Sequence, residues 1–333
     1  MILIDRPRFV AREAYDLAIE NMVGRLSRIP GLLSIYQIGS VSTPGISDID
    51  LLAVFDDNVE CKVDPRGSLD NQEKYLFTHG LFGINASRWQ CADQYAFFSP
   101  CRFLTGNRIG KEIEASVPEG KILTQIALEY MFKMLLVLRL QLEVGILKSR
   151  SLLLEIKALQ TDLEIIHMDK SPVMEVVQKI LKLREKWFDG KWEKKEFVTL
   201  CLLLFTKLED AFLRLIGQGE YLYMPNECFM WGKIFTVRGH IDQDWEICKP
   251  ILPAFPAICF TKRWFNLKKR NAQILLKTPL VRLDKSGILR QKLEWDQEYV
   301  NYNRKFLPGF LTLSSPLAKT EECNPDSDTK KYL

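Results

Sequence analysis

Histidine is scarce in this sequence, with three residues, and its eight cysteines lie scattered at 61, 91, 101, 201, 228, 248, 259 and 323 without a single C-x-x-C pair. Zinc sites of the usual spacing are thereby excluded, since they need paired cysteines or clustered histidines. Dispersed thiols of this kind read as reduced, mostly buried side chains of a cytoplasmic protein. No Ser/His/Asp or Cys/His nucleophile set is identifiable either. A long apolar run is missing too. The most apolar stretch, Met131 to Leu147, is interrupted by Lys133, Arg139 and Glu143, which suits a buried helix and no membrane partner. The N-terminal residues Met1-Ile-Leu-Ile-Asp-Arg-Pro-Arg8 mix acid and base without an apolar core, so no secretory signal is expected. The sequon Asn85-Ala86-Ser87 therefore carries no information. Neither sign of charge dominates: 46 Lys and Arg against 42 Asp and Glu leave a net charge of +4. That slightly favours anionic partners but is not the footprint of a dedicated nucleic-acid binder. Internal repeats are absent.

What is present is an ordinary globular composition, 47% hydrophobic and 26% charged over 333 residues, long enough for two or three domains. Apolar residues at helical spacing from Phe9 to Ile29 predict a helix, stopped by Pro30-Gly31. Leu32 to Ile38 reads as a strand, and Ile49 to Phe55 as a second one, nearly unbroken in apolar character and so internal to a sheet. Tyr75 to Ile84 is the expected third strand; Asn85 to Phe98 fits helix or strand. The middle third predicts four helices, Leu123 to Leu147, Ser151 to Met168, Pro172 to Phe188 and Glu193 to Ile216, as an antiparallel bundle. Ser171-Pro172 reads as an N-cap with a proline at the first helical position, and Asp189-Gly190 as a stop. Strands are expected at Ala257 to Phe260 and Ile274 to Leu283, and a helix at Leu289 to Phe306. The polar tail from Ser314 onward is expected to be disordered. The expected domains are 1–118, a helical bundle over 119–217, a mixed region over 218–313 with no assigned role, and the tail 314–333.

One segment carries chemistry: Ile38-Gly39-Ser40-Val41-Ser42-Thr43-Pro44-Gly45-Ile46-Ser47-Asp48-Ile49-Asp50-Leu51-Leu52. Strand side chains alternate faces, so Asp48 and Asp50 are expected on one side and Ile49 and Leu51 on the other. Two adjacent carboxylates repel, and a divalent cation removes that cost. Oxygen ligands suit magnesium or manganese. Gly39 after a strand lets backbone amides approach a phosphate chain, with the Ser40 hydroxyl as a further donor.

Strand, Gly-Ser, loop and apolar-flanked Ser47-Asp48-Ile49-Asp50-Leu51 together resemble the DNA polymerase beta-like nucleotidyltransferase superfamily. The resemblance covers about the first third of the chain, and the helical middle is compatible with the helical domain that often follows. It implies an α+β fold, a nucleotidyltransferase domain with a small mixed sheet followed by an α-helical bundle domain. It also implies that Gly39, Ser40 and Ser47 hold a nucleoside triphosphate while Asp48 and Asp50 ligate Mg2+ or Mn2+. The expected activity is transfer of a nucleoside monophosphate to the hydroxyl of an unidentified acceptor: small molecule, protein or RNA.

Two departures stand out. The Ala-Arg-Gly sequence common after Gly-Ser in many members is missing, and with it an arginine. The third acid of the family has no evident counterpart. On Tyr75 to Ile84 only His79 offers ligand or base chemistry, and a histidine satisfied beside a sheet fits that position equally. Asp64, Asp70 and Asp93 are substitutes without a placed segment, while Asp56 and Asp57 read as turn caps. A degenerate, non-catalytic module of the same fold, binding nucleotide or a protein partner, is therefore the rival expectation.

Other signals weigh less. Gly106-Asn-Arg-Ile-Gly110-Lys111-Glu112 is one residue short of a P-loop and has Glu where Ser or Thr must reach magnesium. Arg102 and Arg108 nearby are candidate nucleotide contacts, with solvated arginines as the plainer reading. Lys262-Arg263-Trp264-Phe265-Asn266-Leu267-Lys268-Lys269-Arg270 is the densest basic-aromatic run. It suits RNA by phosphate contact and stacking, or a solvated turn around a packed tryptophan.

Overall fold

The computed structural model describes residues 1–96, 98, 100–109, 120–217, 222–223, 228–231, 235–240, 246–247, 274–279, 287–313, 315–319 and 321–322. Along the chain run β1 (Ile2–Ile4), α1 (Arg12–Leu26), β2 (Leu32–Ile38), β3 (Asp50–Phe55), α2 (Asn71–Leu76), β4 (Phe82–Asn85), α3 (Ala86–Gln90), α4 (Ala92–Tyr95) and β5 (Cys101–Gly106). There follow α5 (Gly120–Val144), β6 (Ile146–Lys148), α6 (Ser149–Ile165), α7 (Pro172–Glu185) and α8 (Lys194–Gly217). Then come β7 (Cys228–Trp231), β8 (Phe235–His240), β9 (Glu246–Ile247), β10 (Ile274–Pro279), α9 (Ile288–Phe306) and β11 (Glu321–Glu322). The protein is mixed α+β. Its two compact units are not consecutive stretches: one comprises Arg8–Leu123 with Gln291–Ser314, the other Met1–Pro7, Thr124–Arg290 and Ser315–Leu333.

The first unit is built on a four-stranded sheet of order β4-β3-β2-β5. β2 runs antiparallel to both β3 and β5, while β3 and β4 are parallel. Both faces of β3 are covered, which explains its nearly unbroken apolar sequence. On one face Ile35, Leu51, Ala53 and Phe55 join Tyr15, Ala18, Met22 and Leu26, the apolar stripe of α1. On the other, Tyr36, Leu52, Val54, Phe82 and Ile84 join Trp89, Phe98, Trp295 and Tyr299. Each large apolar side chain buried in this way contributes about 1.5–3 kcal/mol.

The expected strand over Tyr75 to Ile84 is replaced by α2, a turn and the shorter β4. The cause is local. Asp70 accepts from the amides of Gln72 and Glu73 at 2.7 and 2.8 Å, and the Glu73 carboxylate accepts from the Asp70 amide at 3.1 Å. This capping box starts a helix, and Gly80, at φ +99°, turns the chain into β4. The span left open, Asn85 to Phe98, begins at the end of β4 and continues as two short helices. Asn85 is buried and its amide donates to Asp57 and Ser87 at 3.0 and 2.9 Å.

In the second unit β1 pairs in parallel with β6, and the four long helices lie close to their expected places. α6 packs on α7 and α7 on α8, and Leu152, Ile156, Val177, Ile180, Phe197 and Leu204 on these helices are buried. Ser171 caps α7, accepting from the Met174 amide at 3.3 Å with Pro172 in the first turn. Gly190, at φ +69°, ends the segment after Asp189. A five-stranded sheet of order β11-β7-β8-β10-β9 completes the unit. Among the described residues no helix is long and apolar enough to cross a membrane.

Two further expectations differ from the structure. α9, grouped with 218–313 on sequence, belongs to the unit of β2 to β5. The tail does not begin as a disordered segment: Leu317 and Ala318 are buried, and Glu321–Glu322 pairs with β7. The strand expected over Ile274 to Leu283 is present over Ile274–Pro279, and residues 280–283 lie outside the described residues. Ala257 to Phe260 and the basic run Lys262 to Arg270 lie outside the described residues.

α9 carries a buried ion pair, Lys292 Nζ to Asp296 at 2.6 Å, with the two side chains 4% and 2% exposed. Lys292→Met is expected to cost about 3–5 kcal/mol of unfolding free energy, measured by urea titration, because Asp296 is left charged and buried. The double variant Lys292→Met/Asp296→Leu should recover most of that loss; equal losses in both would contradict this account.

Candidate functional site

The segment from Gly39 to Asp50 joins two neighbouring strands at one end of the sheet. The last rung of the β2–β3 ladder pairs Ile38 with Asp50, so the Gly39 turn and Asp48 leave the sheet side by side. Gly39 adopts φ +68°, and a Cβ there would meet nothing within 4 Å. Its conformation, not crowding, is what calls for glycine. The Gly39 amide donates to the Pro100 carbonyl at 2.7 Å, anchoring the turn beside β5. Ser40 follows, exposed, and the amides of Ser40 and Val41 make no hydrogen bond among the described residues. Consecutive unpartnered amides after a left-handed residue form a concavity suited to an anion.

The remainder of the loop is held rigidly. The Tyr15 hydroxyl accepts from the Gly45 amide at 2.8 Å and donates to the Ser47 carbonyl at 2.7 Å. The Tyr75 hydroxyl donates to the Gly45 carbonyl. Ser47 is buried, and its hydroxyl accepts from the Thr43 amide at 3.1 Å. That bond closes the loop between Thr43 and Ser47.

Asp48 sits just before β3 and Asp50 is its first residue. Asp50 lies on the face of Leu52 and Val54, next to Ile38 and Cys101 in the row across β3, β2 and β5. Its Oδ1 is sealed from solvent and has no hydrogen-bond partner among the described residues. Burial, and secondarily the charge of Asp48, push the Asp50 carboxyl well above the ordinary value of 3.8. His79 stands in the turn between α2 and β4, not on a strand. Its Nε2 lies 3.5 Å from Asp48 Oδ2, and its side chain is 52% exposed. Asp48, Asp50 and His79 thus share one end of the sheet.

Among the described residues no third carboxylate joins them. β5 presents Cys101 in the Asp50 row, its thiol pushed up to about 11 by burial, and β4 begins only opposite Leu52. Asp70 caps α2. Asp64 accepts from the Arg66 amide at 2.9 Å, Asp56 from the Asn58 amide at 3.1 Å, and Asp57 from Asn85 and Ser87. Asp93 lies in the first turn of α4. Among the described residues no group of three or more His, Cys, Asp or Glu side chains gathers to hold a metal.

Two carboxylates nevertheless suit magnesium, which commonly takes one or two from protein and the rest from water and substrate phosphates. An orphaned, buried carboxylate oxygen beside a second acid also fits a cation, because a cation is what would make ionised Asp50 affordable there. Of the two flagged arginines, Arg102 donates to Gln37 Oε1 at 2.7 Å and Arg108 lies 5.1 Å over the Phe103 ring. The cation found on the loop itself is Arg12, at the start of α1, whose Nη1 donates to the Val41 carbonyl. Sequence spacing gave no sign of it, since the contact depends on how α1 packs.

A pH signature follows from Asp50. Folded protein holds its proton more tightly than unfolded chain, so this group favours folding at low pH and disfavours it as pH rises through the window above 3.8. Relative to wild type, Asp50→Asn should gain stability progressively as pH rises above 3.8 in thermal melts without divalent metal. A difference independent of pH would contradict the assigned burial.

Comparison of the chain with protein-family models, with curated proteins and with solved structures finds no match, so what it does has to be read from Gly39, Ser40, Asp48, Asp50 and their surroundings.

Proposed function

We propose that the protein is a metal-dependent nucleotidyltransferase, moving a nucleoside monophosphate from a triphosphate to an acceptor hydroxyl and releasing pyrophosphate. The observation that carries this reading is the sealed Oδ1 of Asp50, without a partner among the described residues, beside Asp48 at the strand end where the Ser40 and Val41 amides are likewise unpartnered among the described residues. A buried carboxylate without a partner is costly, and such costs concentrate where a ligand repays them.

Asp48 and Asp50 hold magnesium or manganese. A bound ion of this kind supplies charge neutralisation on the phosphates undergoing in-line displacement. Ser40 contributes its hydroxyl and amide, and Val41 its amide, to phosphate oxygens. His79, beside Asp48, orients the acceptor hydroxyl or takes its proton. Catalysis is then chiefly positioning and electrostatics, as in other phosphoryl transfers.

The lack of a third carboxylate among the described residues, with Cys101 in the row of Asp50, supports a second reading: a module of the same fold that binds nucleotide, or a protein partner, without turnover.

Incubation with each labelled nucleoside triphosphate, magnesium or manganese, and a cell extract separates the two. Transfer of label to an acceptor, reduced by at least about a hundredfold in Asp48→Asn and Asp50→Asn, is the expected result. Nucleotide binding without transfer under every condition would leave the non-catalytic reading.

A further inference from the structure

We infer that Arg12, placed against Val41, receives the terminal phosphates of the nucleoside triphosphate. This rests on the nucleotidyltransferase reading above and adds to it a residue from a different element.

The guanidinium is exposed, yet it is not adrift: Nη1 donates to the Val41 carbonyl. Arg12 therefore stands against the same residue whose amide, with that of Ser40, is unpartnered among the described residues. An arginine carries five N–H donors in a planar fork, and this one has a single hydrogen bond and no ion pair among the described residues. Its free edge remains available for a phosphate, which such a fork matches in bidentate fashion.

Among the described residues Arg12 makes no ion pair with Asp48 or Asp50, and its hydrogen bond goes to the Val41 carbonyl. Acids and guanidinium thus address different parts of one ligand: a metal-bound portion on Asp48 and Asp50, and an anionic portion on the Ser40 and Val41 amides and Arg12. A polyphosphate has both, a monophosphate only one. The position is also fixed from behind. Tyr15, on the same helix, bonds both Gly45 and Ser47, so the first turn of α1 and the loop are braced together. A preorganised guanidinium loses less freedom on binding than a solvated one.

The test uses the full chain with magnesium and calorimetric titration of three probes: inorganic tripolyphosphate, each common ribonucleoside triphosphate, and the matching monophosphate. Arg12→Gln keeps an N–H for the Val41 carbonyl and removes the charge. Its affinity for triphosphate and tripolyphosphate should fall by at least about tenfold, with monophosphate affinity unchanged. Arg12→Lys, retaining charge without the fork, should show the same ordering with a smaller loss, and it serves if Arg12→Gln fails to fold. Undiminished triphosphate affinity in these variants, or equal losses for mono- and triphosphate, would overturn the role of Arg12 while leaving the nucleotidyltransferase reading intact. A wild type that binds neither triphosphate nor tripolyphosphate would overturn both.

Discussion

The candidate site depends on one electrostatic constraint: a carboxylate, Asp50, placed at the start of a strand that is covered on both faces. Ionised there, with Oδ1 sealed and unpaired and Asp48 adding a like charge, it is expensive to keep. A protein escapes that cost by protonating the group or by supplying a cation. Because the β2–β3 ladder ends at Ile38 and Asp50, the same strand end that strands the carboxylate also releases the Gly39 turn. Two carboxylates and two amides unpartnered among the described residues are thereby set at the same strand end, and the proposed metal and phosphate sites rest on that juxtaposition.

α1 gives this arrangement its rigidity. Its apolar stripe, Tyr15, Ala18, Met22 and Leu26, packs on the sheet, while Tyr15 spends its hydroxyl on the loop and Arg12 its guanidinium on Val41. Residues of the Gly39–Asp48 loop are thus fixed by a helix formed before them in sequence. Sites whose supporting contacts come from rigid elements hold geometry better than sites left to loops alone.

How much of this was legible in the sequence follows from how local each signal is. β2 and β3 were readable from short apolar runs bounded by Pro30-Gly31 and Gly39-Ser40, and α7 from Ser171-Pro172, because capping and turn chemistry act within a few residues. Asp48, Asp50 and His79 were named from pattern, and the coordinates bring them to one end of the sheet. The strand expected over Tyr75 to Ile84 was misread because its apolar run concealed the capping box of Asp70 and Glu73. α9 was readable as a helix but not as a partner of β2 to β5, and Arg12 was not readable at all. Both depend on tertiary packing that no periodicity encodes.

The most direct measurement is Mn2+ binding to the full chain at neutral pH, followed by water-proton relaxation with and without nucleoside triphosphate. A bound ion that disappears in Asp50→Asn, and binds more tightly when the triphosphate is present, is the predicted result. Relaxation identical to that of free Mn2+, or binding that survives loss of both Asp48 and Asp50, would contradict the account.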